Sequence, residues 1–349
     1  MGRWGRLTRR PDFLCRLRVA RVTLFVQGMR RSGTTILYDA LLEDPALECF
    51  YEPLREDDVT VGGGSGAREA DAFALTRDLR DIFRGARYPD IDPREFNWGG
   101  PRAPTLEVGG ELPEHCVEFI RSLVERPAET AIKFTRAYDK LERLTELDPE
   151  AALVHVVRDP RAVAASIMLG RDRRQASRFD DAGEFFAARS KRKLWSCRAI
   201  AQVLLKRPEY ADLGRPTDVE RILLVWRHTF ESTWRDGRRL FGDRYVLLRN
   251  EELRADPRAA LRLAYAAIGR EPPGEVLSWA AGAVRGAEEP YEAGHDGWRS
   301  AFVRVGLRDA LAAAGYDELA DATPTRGAGA RLAAGGRRGR RQVARLIGR

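Results

Sequence analysis

The sequence predicts an α/β fold of three layers, in which helices flank a central parallel sheet on both faces. Two observations predict it. Short apolar runs that do not alternate with polar residues recur along the chain, as in strands buried on both faces. Segments with helical spacing of apolar residues separate these runs. At 349 residues the chain is long enough to bury a substantial core, and no apolar run reaches the ~20 residues that a membrane-spanning helix needs.

The elements follow in chain order from the periodicity of apolar residues. Strands are predicted at Val22–Gln27, Thr130–Phe134, Leu153–Val157 and Tyr245–Leu248. Helices are predicted at Thr34–Leu42, Arg161–Leu169, Glu184–Lys206, Val219–Phe241 and Pro257–Ile268. This alternation favours one α/β domain.

The stretch between the first helix and the second predicted strand is expected to be irregular. It contains GGGSG at 62–66 and YPDIDPREFNWGGPRAP at 88–104, and a long loop in a compact domain is usually functional or disordered. Tyr88, Phe96 and Trp98 of this stretch either form a wall for an acceptor substrate or pack onto the sheet edge.

The formal net charge of +8 is concentrated at the two ends of the chain. Residues 1–21 carry +6 and residues 326–349 carry +8, so the remainder is mildly acidic at −6. We therefore expect a basic N-terminal arm (1–21), one domain (22–325) and a disordered tail rich in Arg, Gly and Ala (326–349). This distribution disfavours a domain that recognises nucleic acid, and it leaves the two ends for weak contact with an anionic surface.

The N-terminus lacks the continuous apolar stretch of a secretory signal, so the expected location is the cytoplasm. The four cysteines have no C-x-x-C spacing and are expected to be buried thiols rather than disulfide or zinc ligands.

The strongest functional signal is the turn between the first strand and the first helix. It reads Gly28-Met-Arg-Arg-Ser-Gly33-Thr-Thr35 and has the G-x-x-x-x-G spacing of a P-loop, in which backbone N–H groups and a helix N-terminus face a phosphate. Thr34 stands where a nucleotide-hydrolysing loop has lysine, and Arg31 lies before the second glycine. The turn predicts a P-loop-type fold with an anion site; the alternative is a glycine turn that only packs a helix.

A second motif is VVRDPRAVAAS at 156–166, in which Arg158 follows a strand and Ser166 lies eight residues later on a helix. A guanidinium and a hydroxyl suit a dianionic phosphate, although a surface ion pair and a solvated serine are the alternative. Together, this motif and RRSGTT resemble the 3′-phosphate motif and the 5′-phosphosulfate loop of sulfotransferases that use 3′-phosphoadenosine 5′-phosphosulfate (PAPS). AIKFTRAYDKLERL at 131–144 and the segment Tyr245–Pro257 resemble the Lys-x-x-Arg strand and the late R-Y-E-D-L segment of the carbohydrate sulfotransferase branch.

The resemblance implies that 22–325 is a sulfotransferase domain. It would transfer a sulfuryl group from PAPS, without a metal ion, to a hydroxyl (less readily an amine) of a carbohydrate or a glycosylated small molecule. GHDGWRS at 294–300 resembles the C-terminal loop that closes over the cofactor. The aromatic residue that follows the two threonines in cytosolic relatives is Ile36 here, so adenine stacking must come from elsewhere. The implied cofactor contacts are Arg30, Arg31, Ser32, Gly33, Thr34, Thr35, Arg158, Ser166, Trp298 and Arg299.

The candidate catalytic residues are Glu52, Arg31 and Lys133. Glu52 lies in Tyr51-Glu52-Pro53-Leu54, which resembles the F-E-P-L segment of carbohydrate sulfotransferases and implies a base that takes the acceptor proton; a surface ion pair with Arg55 is the alternative. Arg136 is a candidate contact for the sulfonate or for an acidic acceptor. Histidine is the rival base, because its pKa of about 6.5 suits proton abstraction near neutrality. The four histidines are His115, His155, His228 and His295.

Two other function classes stay open. One is a P-loop kinase or NTPase that uses Mg-ATP, since VHVVRD superficially resembles an apolar strand ending in a magnesium-binding aspartate. The other is a non-enzymatic binder of anionic surfaces that acts through the basic ends.

Overall fold

The structure is a computed structural model that describes residues 22–54, 67–96, 103–170, 181–187, 194–286 and 289–324. The predicted arm at 1–21 and the predicted tail at 326–349 lie outside these residues. The strands are β1 (Thr23–Gln27), β2 (Leu47–Tyr51), β3 (Glu129–Phe134), β4 (Ala152–Val157) and β5 (Tyr245–Arg249). All of them pair in parallel, in the order β2-β3-β1-β4-β5.

The helices of the first half connect these strands. They are α1 (Thr34–Leu41), α2 (Ala67–Arg87), α3 (Pro93–Phe96), α4 (Ala103–Val108), α5 (Glu114–Val124), α6 (Leu141–Leu147) and α7 (Pro160–Leu169). Those of the second half are α8 (Ala182–Ala187), α9 (Cys197–Leu204), α10 (Asp218–Phe241), α11 (Asn250–Ala255), α12 (Pro257–Ala266), α13 (Gly274–Ala283), α14 (Asp296–Val305), α15 (Arg308–Ala313) and α16 (Asp317–Asp321). Short 3₁₀ turns lie at Leu194–Ser196, Pro208–Leu213 and Gly242–Arg244.

Alternate residues of the central strand β1 face the two helical layers. Leu24 and Val26 pack in a cluster with residues of α1, α12 and α13, whereas Phe25 packs in a cluster with residues of α5 and α6. Each residue of β1 is therefore buried on whichever face it points to, which explains why this strand reads as a continuous apolar run. The predicted three-layer α/β fold with a central parallel sheet is confirmed.

Two predicted elements differ from the observed ones. Strand β2 was not predicted; it reads LECFY and places a charged residue second among apolar ones, so no clear apolar run marks it. The single helix predicted at Glu184–Lys206 is interrupted, and residues 188–193 lie outside the described part. Leu194 and Ser196 have positive φ angles of 50° and 67°, which are incompatible with a continuous right-handed helix.

The stretch expected to be irregular contains strand β2 and helices α2 to α5. Phe96 is buried in an aromatic cluster with Phe83, Tyr88, His115 and Phe119. Phe96 is thus a core residue rather than a wall for a substrate, and Tyr88 packs against it. The predicted GGGSG segment and Trp98 lie outside the described residues.

Cys49, Cys116 and Cys197 are buried and form no disulfide with one another, as expected, while Cys15 lies outside the described residues. Across the described part of the chain, every helix is either too short or too polar to cross a membrane.

Candidate functional site

The turn after β1 leads directly into the N-terminus of α1. Its backbone is left-handed at Arg31 (φ 71°) and at Gly33 (φ 98°), and Gly33 is the N-cap residue of α1 without a side-chain cap. The first N–H groups of a helix have no partner within the helix. At α1 these groups lie at the carboxyl end of β1, where no side-chain cap from the described residues occupies them, so they can bind an anion. A left-handed conformation costs a residue with a Cβ about 1–3 kcal/mol, and residues held in such conformations cluster at functional sites.

The two glycines of the turn are required by close packing. A Cβ on Gly28 would lie 2.3 Å from the Val156 carbonyl oxygen and 2.6 Å from Ser32 Oγ, and a Cβ on Gly33 would lie 1.9 Å from Asn250 Nδ2. The G-x-x-x-x-G spacing therefore presses the turn against the ends of β4 and β5.

The second motif lies beside the turn, because β4 pairs directly with β1. The Arg31 Nε donates a hydrogen bond to Ser166 Oγ on α7 at 2.9 Å. Arg158, at the end of β4, donates from Nη1 to the Arg31 carbonyl oxygen at 3.3 Å. Its own carbonyl oxygen accepts from Trp226 Nε1 at 2.9 Å. Two motifs that are far apart in sequence thus meet at the carboxyl end of the central strands β1 and β4.

Glu52 and Lys133 form a buried ion pair at the same carboxyl end of the sheet. Glu52 follows β2 with a left-handed backbone (φ 51°), and its backbone N–H donates to the Lys133 carbonyl oxygen at 2.9 Å. Its Oε1 accepts from Lys133 Nζ at 2.6 Å and its Oε2 accepts from the Thr135 N–H at 3.0 Å. The side-chain hydroxyls of Tyr51 and Thr35 lie 3.3 Å apart. The turn at 28–35, called the phosphate turn below after the ligand that its sequence predicts, and the ion pair are therefore neighbours.

The electrostatics of the pair keep both groups charged. Glu52 is 4% exposed and Lys133 is 2% exposed. Burial raises the pKa of Glu52, but the Lys133 charge and the hydrogen bonds from Lys133 and Thr135 outweigh it and hold the pKa below its usual range. Burial lowers the pKa of Lys133, but Glu52 and Tyr51 raise it above its usual range; the Lys133 Nζ lies 4.0 Å from the Tyr51 ring centroid.

The side chain of Arg30 points away from the turn, into the protein. Both of its terminal nitrogens donate to the carboxylate of Glu107 on α4 at 2.5 Å. Glu107 also accepts from the Tyr138 hydroxyl at 3.2 Å and lies 3.9 Å from Arg136 Nε. The Arg30 guanidinium is thus buried and paired with Glu107, and its backbone N–H is the group that remains at the turn. Arg136, predicted to contact sulfonate or acceptor, is buried beside the same carboxylate.

The predicted C-terminal cofactor contacts lie on a helix rather than in a loop. Trp298 is 2% exposed in α14, and its Nε1 donates to the carbonyl oxygens of Tyr291 and Glu292. The indole packs in the core, so cofactor binding would require it to move out of that core. Arg299, the next residue of α14, is exposed.

Two of the rival histidines are buried in polar contacts with other residues. Burial lowers the pKa of His155 to about 3, and its Nδ1 lies 2.9 Å from the Tyr245 hydroxyl. His228 lies between Asp139 (2.8 Å) and the Tyr210 hydroxyl (3.2 Å) at the edge of a cavity of about 420 Å³. These contacts tie both rings to structural partners.

The other two histidines are also used locally. Burial lowers the pKa of His115, whose ring stacks on Phe96 with centroids 4.7 Å apart. His295 caps α14, because its Nδ1 accepts from the Gly297 N–H at 2.9 Å. None of these contacts brings a histidine to the phosphate turn, whereas Glu52 lies beside it.

Sequence reasoning missed two residues of the site. Glu107 stands in a segment with no motif around it, and only the fold brings it to Arg30. Asn250 lies within the late segment that the motif pattern singled out, but nothing in that pattern assigned it a role. In the part of the chain that the structure describes, no cluster of three or more His, Cys, Asp or Glu side chains is arranged to hold a metal ion.

Comparison with protein families gives one match. Residues 23–202 match the family model described as "Sulfotransferase family". This range contains the phosphate turn, Glu52, Lys133, Arg158 and Ser166. No curated protein matches the chain by sequence.

The solved structures that resemble the chain include three sulfotransferases. The crystal structure of sulfotransferase STF9 from Mycobacterium avium is 16% identical, with 84% of this chain and 76% of that chain covered at a TM-score of 0.47. Sulfotransferase STF1 from Mycobacterium tuberculosis H37Rv is 13% identical, with 82% and 76% covered at a TM-score of 0.39. The sulfotransferase domain from the Synechococcus PCC 7002 olefin synthase is 17% identical, with 80% and 88% covered at a TM-score of 0.34.

Proposed function

Since the chain belongs to the sulfotransferase family, we propose that it transfers a sulfuryl group from PAPS to a hydroxyl group of a carbohydrate or a glycosylated small molecule. The observation that carries the choice of donor is the 2.9 Å hydrogen bond from Arg31 Nε to Ser166 Oγ. It joins the two motifs that resemble the 5′-phosphosulfate loop and the 3′-phosphate motif. A single ligand with phosphate groups at both ends fits such a junction.

The residues at the turn fit the anionic end of PAPS. The N-cap residue Gly33 supplies no side-chain cap to α1, and the first N–H groups of a helix have no partner within it, so a ligand oxygen can accept from Thr34 and Thr35. Ser32 Oγ is buried with no hydrogen-bond partner among the described residues, and a phosphate or sulfonate oxygen would satisfy it. Arg31 and the N-terminus of α1 would add positive charge. Arg158 and Ser166 would hold the 3′-phosphate.

PAPS supplies an activated sulfuryl group whose leaving group is adenosine 3′,5′-bisphosphate. Glu52, ionised because Lys133 lowers its pKa, would take the proton of the acceptor hydroxyl onto a carboxylate oxygen. Lys133 and Arg31 would neutralise charge that grows on the leaving phosphate oxygen. The burial of Glu52 and Lys133 strengthens these interactions, because it excludes water from the pair.

The carbohydrate acceptor rests on the resemblance of three segments to the carbohydrate branch: Tyr245–Pro257, Tyr51-Glu52-Pro53-Leu54 and the strand with Lys133 and Arg136. The last two segments lie side by side in the sheet, since Tyr51 pairs in register with Lys133. An amine acceptor is the less favoured variant of the same reaction.

The alternative of a kinase or NTPase that uses Mg-ATP is disfavoured by Asp159. Its Oδ1 caps α7 by accepting from the Arg161 N–H at 2.8 Å, and its Oδ2 lies 2.7 Å from Arg161 Nη2. A magnesium ion at this carboxylate would have to displace those bonds. The third alternative, binding of anionic surfaces, depends on end segments outside the described residues.

Two measurements test the proposal. Isothermal titration calorimetry compares adenosine 3′,5′-bisphosphate without magnesium against ATP with magnesium; tight binding of the former supports the proposal, and magnesium-dependent binding of ATP alone contradicts it. Mass-shift screening of free sugars and glycosides with PAPS then identifies the acceptor by an added sulfuryl group. Removal of residues 326–349 should spare turnover, and loss of all function in that variant would favour the anionic-surface binder.

A further inference from the structure

Asn250, the first residue of α11, presses its amide against the phosphate turn. It directly follows β5 and is 1% exposed. A Cβ on Gly33 would lie 1.9 Å from Asn250 Nδ2 and 2.9 Å from its Cγ. The amide group therefore occupies the space that a side chain at Gly33 would need.

The orientation of this amide is determined by a second contact. The Asn250 Oδ1 accepts from Arg254 Nε at 2.9 Å. An arginine nitrogen only donates, so a flipped amide would set two donors against each other. Arg254 is itself held, because its Nη1 donates to the carbonyl oxygens of Arg285 and Gly286 at 2.9 Å and 3.2 Å. The oxygen must face Arg254, and the Nδ2 group must face the turn.

The Nδ2 group has no acceptor among the residues that the structure describes. A buried amide donor without an acceptor is costly, and native proteins rarely leave one in that state. Ser32 Oγ on the same turn is in the same condition. Two buried polar groups without partners thus adjoin a helix N-terminus that also lacks a side-chain cap. All of these would be satisfied by the oxygens of one bound anion.

We propose that Asn250 is a specificity-determining residue of this site, whose Nδ2 donates a hydrogen bond to the anionic group bound at the N-terminus of α1. The identity of that group as the 5′-phosphosulfate end of PAPS rests on the proposed function. Asn250 thereby adds a neutral donor from β5 and α11 to the cationic donors from the β1 turn and β4. Because Arg254 holds the amide in place, the donor needs no reorganisation when the ligand binds.

The test compares two ligands that differ at the 5′ position. Isothermal titration calorimetry gives the Kd of adenosine 3′,5′-bisphosphate and of adenosine 3′-monophosphate for the wild-type chain, Asn250→Asp and Asn250→Ala. Asn250→Asp keeps the shape and the Arg254 contact but sets a carboxylate against the anion. We expect both variants to weaken binding of the bisphosphate about ten- to a hundredfold, the loss typical of one charge-assisted hydrogen bond, and to leave the monophosphate unchanged. Thermal unfolding shows whether each variant is folded. If Asn250→Asp does not fold, the Kd values of Asn250→Ala provide the test.

Two results overturn the inference: an unchanged Kd for the bisphosphate in a folded variant, or an equal loss for both ligands, which would place the contact at the nucleoside. Failure of the proposed function gives a different result, since the wild-type chain itself would then not bind the bisphosphate. In that event inorganic pyrophosphate is the probe. Weaker pyrophosphate binding by the folded variants supports an Asn250 anion contact, while equal binding by all chains, or none, overturns it.

Discussion

Substitution of Glu52 by glutamine tests the buried ion pair and the candidate base together. Lys133 is 2% exposed and lies 2.6 Å from Glu52 Oε1, so the variant leaves a buried ammonium group opposite a neutral amide. Breaking a buried pair by removing one partner costs about 3–5 kcal/mol. Glutamine retains an oxygen for either Lys133 or the Thr135 N–H, so we expect the lower end of this range. Urea unfolding monitored by circular dichroism measures the loss.

The same variant should lower turnover about 10²- to 10⁴-fold, the usual contribution of a general base, while the Kd for adenosine 3′,5′-bisphosphate stays close to that of the wild type. Turnover is measured by mass spectrometry at a temperature where the variant is folded. The exposed Glu146, which pairs only with Arg143 among the described residues, supplies the control substitution Glu146→Gln, which should change neither quantity.

The double variant Glu52→Gln with Lys133→Met separates the two effects. Removing both charges should restore most of the stability, because a neutral buried pair needs no charge compensation, but it should not restore turnover. Turnover of Glu52→Gln within twofold of the wild type would refute the role of Glu52 as the base and would favour a histidine in that role. A double variant as unstable as the single one would refute the account of the pair.

Three further predictions follow from neighbouring contacts. Arg158→Ala should weaken binding of adenosine 3′,5′-bisphosphate at least tenfold but leave adenosine 5′-monophosphate, which lacks the 3′-phosphate, unchanged in calorimetry; a loss that is equal for both ligands would contradict a 3′-phosphate contact. Glu107→Gln should lower the free energy of unfolding by about 3–5 kcal/mol, since it leaves the buried Arg30 guanidinium without its carboxylate; an unchanged urea midpoint would show that the pair contributes nothing. Lys133→Met removes the charge that lowers the pKa of Glu52 while burial still raises it, so the acid limb of kcat should move to higher pH, and a limb that stays in place across a pH series would exclude Glu52 as the titrating base.

Much of the fold could be predicted from local sequence patterns. Strands β1, β3, β4 and β5 were predicted to within one residue at each end. Strands β1, β3 and β4 are buried almost throughout, and burial on both faces of a parallel sheet favours continuous apolar runs; β5 lies at the edge of the sheet but still begins with the apolar run YVLL. Strand β2 lies at the edge of the sheet and carries Glu48, whose carboxylate pairs with Arg126. This charged residue interrupts the apolar run of β2, so the strand was not predicted.

The candidate site divides in the same way. The turn from Gly28 to Thr35 is local, since its glycines and hydroxyls serve a backbone conformation and a helix N-terminus that are adjacent in the chain. The role of each arginine is not local. Arg30 and Arg31 are chemically identical neighbours, and only the positive φ at Arg31 and the position of Glu107 separate one that bonds inward from one that bonds toward Ser166.

By itself, the sequence determined four of the five strands, the turn from Gly28 to Thr35 and the two motifs that point to a sulfotransferase, because each of these depends on residues that are close together in the chain. The tertiary structure alone decided which charges meet: Glu52 with Lys133, Arg30 with Glu107, and the Asn250 amide with Gly33. Burial makes these contacts energetically important, since a charge or an amide removed from water needs a partner. Each partner lies on a strand or helix that is distant in sequence, so its proximity in space cannot be read from local sequence patterns.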